Sequence, residues 1–365
     1  MSGSSELHIK ASTGGYTVTV GFGTLAKVQS TDNAIWIVDE NVRQLHADAI
    51  PDNSIAVHAL ESEKNLRTVE HLLEKIREHN GTRETRVIAV GGGITQDLVT
   101  FAASSYMRGV RWVYCPTTML SMVDSCIGGK SSINVGRFKN LAGNFYPPDE
   151  VVVDTRFCET LSTTQMIEGL CEASKICYAH SDAAFQNYLS LTRGSSSKLT
   201  NEQLAALIAF CLDTKRYFIE EDEFDRGIRQ LLNFGHTFGH AIESATNYQV
   251  SHGVAVGLGM LAAQQLSVHS GFVGDDCSNV NGLTKYIRDL LWGGQGLTQT
   301  LAKLDPHDAF NSFLSDKKHS ANEYTLILFN GYGRLERKKL PRTVEVESIL
   351  IDAFKSLIGL SYEIQ

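Results

Sequence analysis

The sequence predicts an α/β plus α chain in two parts: a Rossmann-like parallel-sheet domain over residues 1–160 and a mostly helical domain over 161–365. Three observations carry this. Short β-rich runs alternate with amphipathic helical patterns through the first half, the pattern of a parallel sheet with crossover helices. Strand patterns give way to long helical ones after about Leu161. Finally, three histidines and an upstream carboxylate sit in that helical half.

Taken in order, Ala34 to Val38, Ser54 to Leu60, Arg86 to Val90, Trp112 to Cys115 and Glu150 to Asp154 read as strands. Between the second and third, Leu66, Val69, Leu72, Leu73 and Ile76 recur at helical spacing. Helices follow around Thr164 to Ala179, Asn201 to Tyr217, Leu231 to Ala245 and His252 to Gly271. The runs Gly194 to Ser197 and Gly293 to Gly296 read as loops within the helical half, because helical pattern resumes on both sides. Near the end, Tyr324 to Phe329 and Gly333 to Lys339 flank Asn330-Gly331, a hairpin signal.

Bulk properties narrow the function. With 365 residues, 42% hydrophobic and 20% charged, the chain can bury two ordinary cores. A net charge of -8 argues against nucleic acid or an anionic membrane as partner, since both need exposed positive potential. Seven cysteines without a C-x-x-C pair fit reduced thiols in a cytoplasmic protein. The N-terminus has no basic start followed by an apolar core, and no apolar run approaches membrane-spanning length, so neither export nor spanning is expected.

The segment from Asn233 to Met260 is the most informative. Asn233-Phe234-Gly235-His236-Thr237-Phe238-Gly239-His240 is followed by His252 at the head of a small, apolar run. A catalytic divalent ion such as zinc takes three His or carboxylate ligands and keeps one position open. Glu172, His236 and His252 supply that set. His236 and His240 are four apart and share a helix face, so either both bind metal or one contacts what the metal holds. The plainer reading is core histidines bonded to backbone carbonyls; three in one glycine-bracketed segment weigh against it.

Anion signals lie upstream. Gly91-Gly92-Gly93 ends a strand and opens a helix, where backbone N–H groups can approach a pyrophosphate. Asp39 and Glu61 are placed to accept bonds from ribose hydroxyls, although strand-end acids are also ordinary caps. Lys130 follows paired glycines after Asp124, and Lys139-Asn140 comes next; both suit a substrate phosphate. Lys175 shares a helix face with Glu172. Lys215, Arg229 and Lys317-Lys318 add further positive groups. Any single one of these lysines reads first as a solvated surface charge.

Together these residues resemble a known family. Gly91-Gly92-Gly93 with Asp97, Tyr106-Met107-Arg108-Gly109, Pro116-Thr117-Thr118, Asp124 through Lys130, Lys139-Asn140, Glu172 with Lys175, Arg229 through His240, and His252-Gly253 look like the sugar phosphate cyclases, most closely the 3-dehydroquinate synthases. The resemblance runs from about Asp39 to Lys339. It implies a dehydroquinate synthase-like fold and a homodimeric carbon-oxygen lyase that uses NAD with zinc or cobalt. Carried over, Glu172, His236 and His252 would bind the metal. Lys130, Asn140, Lys175 and His240 would hold the substrate phosphate, with Arg108 from the neighbouring subunit. Lys215, Arg229 and one lysine of the Lys317-Lys318 pair, taken as Lys318, would face the substrate carboxylate. Asp124, Asn233 and Lys139 would line the pocket. Lys64, Asp97, Thr117, Thr118, Phe157, Thr160 and the triple glycine would touch NAD, with Lys130 and Lys139 bordering it.

The implied chemistry is hydride removal by NAD, loss of phosphate, return of the hydride, ring opening and an intramolecular aldol closure. Arg229, Lys215 and Asn233 suit a carboxylate-bearing substrate, which favours 3-deoxy-D-arabino-heptulosonate 7-phosphate and 3-dehydroquinate as product. Alternatives are a specialised cyclase acting on the amino analogue or on sedoheptulose 7-phosphate, an iron- or zinc-dependent polyol dehydrogenase, and a relic without turnover. The chain departs from the usual synthase pattern at Gln96, Thr100, Ser131 to Asn134 and Gly136 to Phe138.

Overall fold

The computed structural model describes residues 4–28, 33–136, 138–192, 199–292 and 297–360. The loops expected at 194–197 and 293–296 lie outside these, as does Arg137. The chain divides into two compact units: Met1–Ser162 with Tyr188–Phe224, and Thr163–Asn187 with Asp225–Gln365.

The first unit contains β1 (Ser5–Ile9), β2 (Tyr16–Gly21), β3 (Ala34–Asp39), α1 (Glu40–Leu45), β4 (Ile55–Val57), α2 (Leu66–Glu78), β5 (Arg86–Gly91), α3 (Gly93–Ser105), β6 (Trp112–Pro116), β7 (Ile133–Val135), β8 (Phe138–Ala142) and β9 (Glu150–Asp154). Among the described residues, seven strands form one sheet in the order β1-β2-β9-β6-β5-β3-β4. All pair in parallel except β1 with β2. The run Val87-Ile88-Ala89-Val90 is wholly buried, as expected for a parallel strand covered on both faces. Helix α2 starts where Asn65 Oδ1 accepts the Thr68 N–H at 3.1 Å, and it buries Val69, Leu72 and Ile76.

The five expected strands are all present, the second shortened to Ile55–Val57. The hairpin of β1 and β2 and the small ribbon of β7 and β8 were not foreseen. Strand β2 is buried along almost its whole length rather than alternating, so its period is hidden. In β8, by contrast, Phe138, Lys139, Asn140 and Leu141 are all exposed.

After α4 (Thr163–His180) and α5 (Asp182–Thr192) comes α6 (Asn201–Glu221), held at its start by a reciprocal capping box between Thr200 and Gln203. Helix α6 packs on β1 and β2, so Tyr188–Phe224 belongs to the sheet unit and a single boundary at residue 160 does not describe the chain's return. The second unit continues with α7 (His236–Ala245), α8 (His252–His269), α9 (Ser278–Trp292), α10 (Leu297–Leu301), α11 (Pro306–Leu314), the antiparallel pair β10 (Glu323–Phe329) and β11 (Leu335–Pro341), and α12 (Val344–Leu360). Helix α8 is apolar on nearly every side and packs on α4, α7, α9, α12 and β10, which makes it the centre of this unit. No helix among the described residues is long and apolar enough to cross a membrane.

Candidate active site

In the helical unit the site is built by close helix packing. Phe234 ends the 3-10 turn Ile228–Asn233, and Gly235, with φ +78°, caps the start of α7 so that it begins at His236 instead of the expected Leu231. A Cβ at Gly259 of α8 would overlap the Gly235 carbonyl oxygen, and one at Gly253 would come 2.5 Å from Glu168 Cα on α4. Only glycine allows both neighbours this near.

That packing delivers the predicted ligands together. Glu172 Oε1 lies 3.6 Å from His236 Nε2 and 3.8 Å from His252 Nε2. One donor atom from each of the three falls within a 4.8 Å span. Glu172 is 1% exposed, whereas the His252 side chain is 39% exposed, so the set is deep on one side and open on the other. One carboxylate and two imidazoles with an open side fit a catalytic zinc or cobalt.

The outer contacts set the tautomers. His236 Nδ1 is 3.3 Å from the Phe234 carbonyl oxygen, and His252 Nδ1 is 3.2 Å from Glu243 Oε2. Each Nε2 is therefore left facing Glu172. Burial, with Lys175 and the neighbouring histidines, holds the His236 pKa well below the ordinary value. Burial, then His252 and Lys318, pushes His240 down to about 4. Burial opposes charge on His252 too, but the Glu243 bond and charge together with Glu172 outweigh it and raise its pKa. Lys175, 2% exposed, pairs with Glu172 Oε2. Sequence reading missed Glu243, although it stands three residues after His240 and seven after His236 on the same helix face.

Lys317, Lys318 and Arg337 of this unit line a cavity of about 380 Å³, together with Asn233 and Thr237 among others. Lys318 Nζ is 3.0 Å from Asp316 Oδ2 and 3.3 Å from Thr237 Oγ1, one residue from His236. Asn233 donates its Nδ2 to the Gln230 carbonyl at 3.1 Å, and Arg229 is 4% exposed.

In the sheet unit Gly92 caps α3 without any side-chain cap, leaving the first-turn N–H groups uncovered by a side chain. The turn is tight: a Cβ on Gly91 would overlap Thr95, and one on Gly92 would come 3.0 Å from Thr118 Cγ2. Thr95 Oγ1 is buried without a hydrogen-bond partner among the described residues. An uncapped helix start and an unsatisfied hydroxyl beside paired glycines fit a dinucleotide pyrophosphate. Thr117 N–H and Tyr114 O–H both donate to the Gly91 carbonyl, at 3.0 and 3.1 Å.

Beside this turn, Lys64 Nζ bonds Asp97 Oδ2 at 3.0 Å and Asn140 Oδ1 at 2.8 Å, while Ser132 donates its N–H and hydroxyl to Asp97 at 2.9 Å each. Burial raises the Asp97 pKa against these partners. Lys64 and Asp97, expected at NAD, and Asn140, expected at the phosphate, thus share one network. Glu61 Oε1 accepts from Asn134 Nδ2 at 2.9 Å and lies 3.9 Å from both Lys64 and Lys139. Ser132 and Asn134, from the run that departs from the family pattern, supply these bonds. The departing Gln96 is likewise used: its side chain donates to the Ser125 carbonyl at 2.7 Å and accepts the Ser125 hydroxyl at 2.6 Å.

The other expected site residues of the sheet unit stand apart from that network. Asp39 caps α1 by accepting the Asn41 N–H at 2.8 Å, the capping role that the sequence left open. Thr160 Oγ1 is 3.0 Å from His46 Nε2, whose ring meets Phe157 edge-on at 4.9 Å. Lys130 Nζ sits 5.9 Å over the Phe145 ring. Lys215 Nζ pairs with Asp124 Oδ1 at 2.5 Å and donates to the Ile127 carbonyl at 3.2 Å. Arg108, at φ +73°, is exposed on a tight turn between Met107 and Gly109.

Comparison with known proteins decides the family. Residues 54–168 match the model of the 3-dehydroquinate synthase N-terminal domain, and 169–319 that of its C-terminal domain. The 3-dehydroquinate synthase of Alkaliphilus metalliredigens is 33% identical over 345 residues, 91% of this chain and 94% of that one. This chain belongs to the 3-dehydroquinate synthase family. The Enterococcus faecalis member is 32% identical over 364 residues, 94% of this chain and 98% of its own.

Solved structures agree on the dehydroquinate synthase-like fold. The 2-deoxy-scyllo-inosose synthase solved with carbaglucose-6-phosphate, NAD+ and Co2+ superposes with a TM-score of 0.81 at 22% identity, covering 96% of this chain and 99% of that one. The 2-epi-5-epi-valiolone synthase of Streptomyces hygroscopicus, with NAD+ and Zn2+ bound, gives 0.78 at 22%, covering 94% and 97%. A probable glycerol dehydrogenase from Sinorhizobium meliloti reaches 0.54 at 14%, covering 94% and 96%, so the dehydrogenase alternative shares the fold more distantly than the synthases do.

Proposed function

We propose that this chain is a 3-dehydroquinate synthase, a carbon-oxygen lyase of aromatic biosynthesis that converts 3-deoxy-D-arabino-heptulosonate 7-phosphate into 3-dehydroquinate and phosphate. The observation that carries the reading is the buried Glu172 with His236 and His252 turned toward it, in a unit that also holds Lys175, Lys318 and Arg229. A neutral polyol would need none of these cations. When bound, NAD supplies a reversible hydride acceptor and the divalent ion a Lewis acid.

The residues' own work is to bind and orient. Glu172, His236 and His252 hold the ion. His240, whose pKa is pushed down, can give an N–H to phosphate as a neutral imidazole. Lys175 shares the phosphate role within the helical unit, and Lys130 and Asn140 carry it in the sheet unit. Arg229 and Lys318 take the substrate carboxylate, as does Lys215 once exchanged from Asp124. Asp124, Lys139 and Asn233 line the substrate. Gly91, Gly92, Gly93, Thr117 and Thr118 receive the NAD pyrophosphate, with Lys64, Asp97, Phe157 and Thr160 about the rest of the cofactor.

We infer further that the enzyme is a cytoplasmic homodimer in which Arg108 reaches the neighbouring copy's site. Seven cysteines without a disulfide, six of them buried, support the reducing compartment, and the exposed turn at Arg108 supports a contact surface. The test is product identification: zinc- or cobalt-loaded protein with NAD and the deoxy-heptulosonate 7-phosphate should yield 3-dehydroquinate, and chelation should stop it. Phosphate release only from sedoheptulose 7-phosphate would refute the substrate.

A further inference from the structure

Strand β11 contributes a cation that no role above uses. Arg337 stands opposite Ile327 in the antiparallel register of β10 and β11, and both line the cavity that holds Asn233, Thr237 and Lys318. Its neighbour Lys338 points to the opposite face, as strand alternation requires, with Nζ 4.7 Å from the Phe272 ring and 3.3 Å from Glu336. The Arg337 side chain has no hydrogen bond or ion pair among the described residues, and neither does Lys317 on the same cavity wall. Lys318 is already neutralised by Asp316. Asp225 also lines the space, so two uncommitted cations face one carboxylate and the cavity is left positive.

We propose that Arg337 is a specificity-determining residue: its guanidinium reads the carboxylate of the substrate from the β11 side of the cavity. The physical case is that an arginine fork matches a carboxylate in bidentate geometry, and that Arg337, exposed at the rim of the cavity and without a protein partner among the described residues, is free to turn toward a ligand held there. A volume of about 380 Å³ admits a seven-carbon sugar acid. The assignment rests on the synthase reading for its ligand. It concerns binding, so it can be tested apart from turnover.

The experiment is calorimetric titration of full-length, zinc-loaded protein with NADH in place of NAD, so that no hydride can leave the sugar. The probes are 3-deoxy-D-arabino-heptulosonate 7-phosphate and sedoheptulose 7-phosphate, which share the phosphate but not the carboxylate. Arg337→Gln should weaken the first about tenfold or more and the second less than about twofold. Arg337→Lys should recover part of the loss, and Lys338→Gln, on the other face, should change neither. No weakening of the first probe, equal weakening of both, or the same loss in Lys338→Gln would overturn the assignment. Phosphate release by the wild type with NAD reports separately on the synthase reading.

Discussion

Oε2 of Glu243 lies 3.2 Å from Nδ1 of His252, and that contact leaves Nε2 of His252 facing Glu172. Carboxylate partners of this kind fix ring orientation and raise ligand basicity, and their loss typically costs 10- to 100-fold in metal affinity. Glu243→Ala should therefore lower zinc affinity by about 10- to 100-fold in a chelator competition while the fold persists. Unchanged affinity would mean that the contact does not orient the ligand.

Lys175 and Glu172 form a pair that is almost wholly buried, at 2% and 1% exposure. Removing one partner of such a pair costs about 3–5 kcal/mol, because the other charge is stranded. A divalent ion on Glu172 would take over the compensation. Lys175→Ala should accordingly destabilise the metal-free protein by about that amount and the zinc-loaded protein by clearly less, as read by denaturant unfolding. Equal loss in both forms would argue that Glu172 meets no metal.

The glycines of α8 and α9 should respond oppositely to alanine. At Gly259 the added Cβ meets the Gly235 carbonyl, so Gly259→Ala should push α7 from α8, costing about 1–3 kcal/mol or more and the bound metal with it. At Gly282 nothing lies within 4 Å of the added atom. Gly282→Ala should stabilise α9 by up to about 1 kcal/mol through helix propensity. Thermal melts and metal analysis of the two variants check the pair.

Arg229, 4% exposed, is assigned to the substrate carboxylate. Arg229→Ala should lower kcat/KM for the deoxy-heptulosonate 7-phosphate by roughly 100-fold while leaving inhibition by inorganic phosphate within about twofold. An equal loss for both would place Arg229 at the phosphate.

Much of this was legible in the sequence because local chemistry dictated it. The parallel strands announce themselves as apolar β-branched runs, and Glu172, His236 and His252 stand out because an imidazole is unusual in an apolar helix. What stayed hidden depended on contacts distant in sequence. The sequence left Asp39 open between a ribose contact and a helix cap, and only the fold shows its Oδ1 accepting the Asn41 N–H. Lys215 reads as a free cation until α6 brings it to Asp124, 91 residues away. The start of α7 moved to His236 because helical spacing does not reveal that Gly235 takes a left-handed conformation. Gln96 looked like a departure from the family, and only the fold shows it bonded to Ser125 at both ends of its amide.

A cyclase returns its hydride to the substrate within each turnover, so NAD is not consumed. The measurement that tests it most directly is the parallel assay of phosphate and NADH with zinc- or cobalt-loaded protein, catalytic NAD and an excess of 3-deoxy-D-arabino-heptulosonate 7-phosphate. Many phosphates should be released per NAD, with no lasting NADH absorbance. NADH accumulating in step with substrate consumed, without phosphate, would contradict it and leave a dehydrogenase.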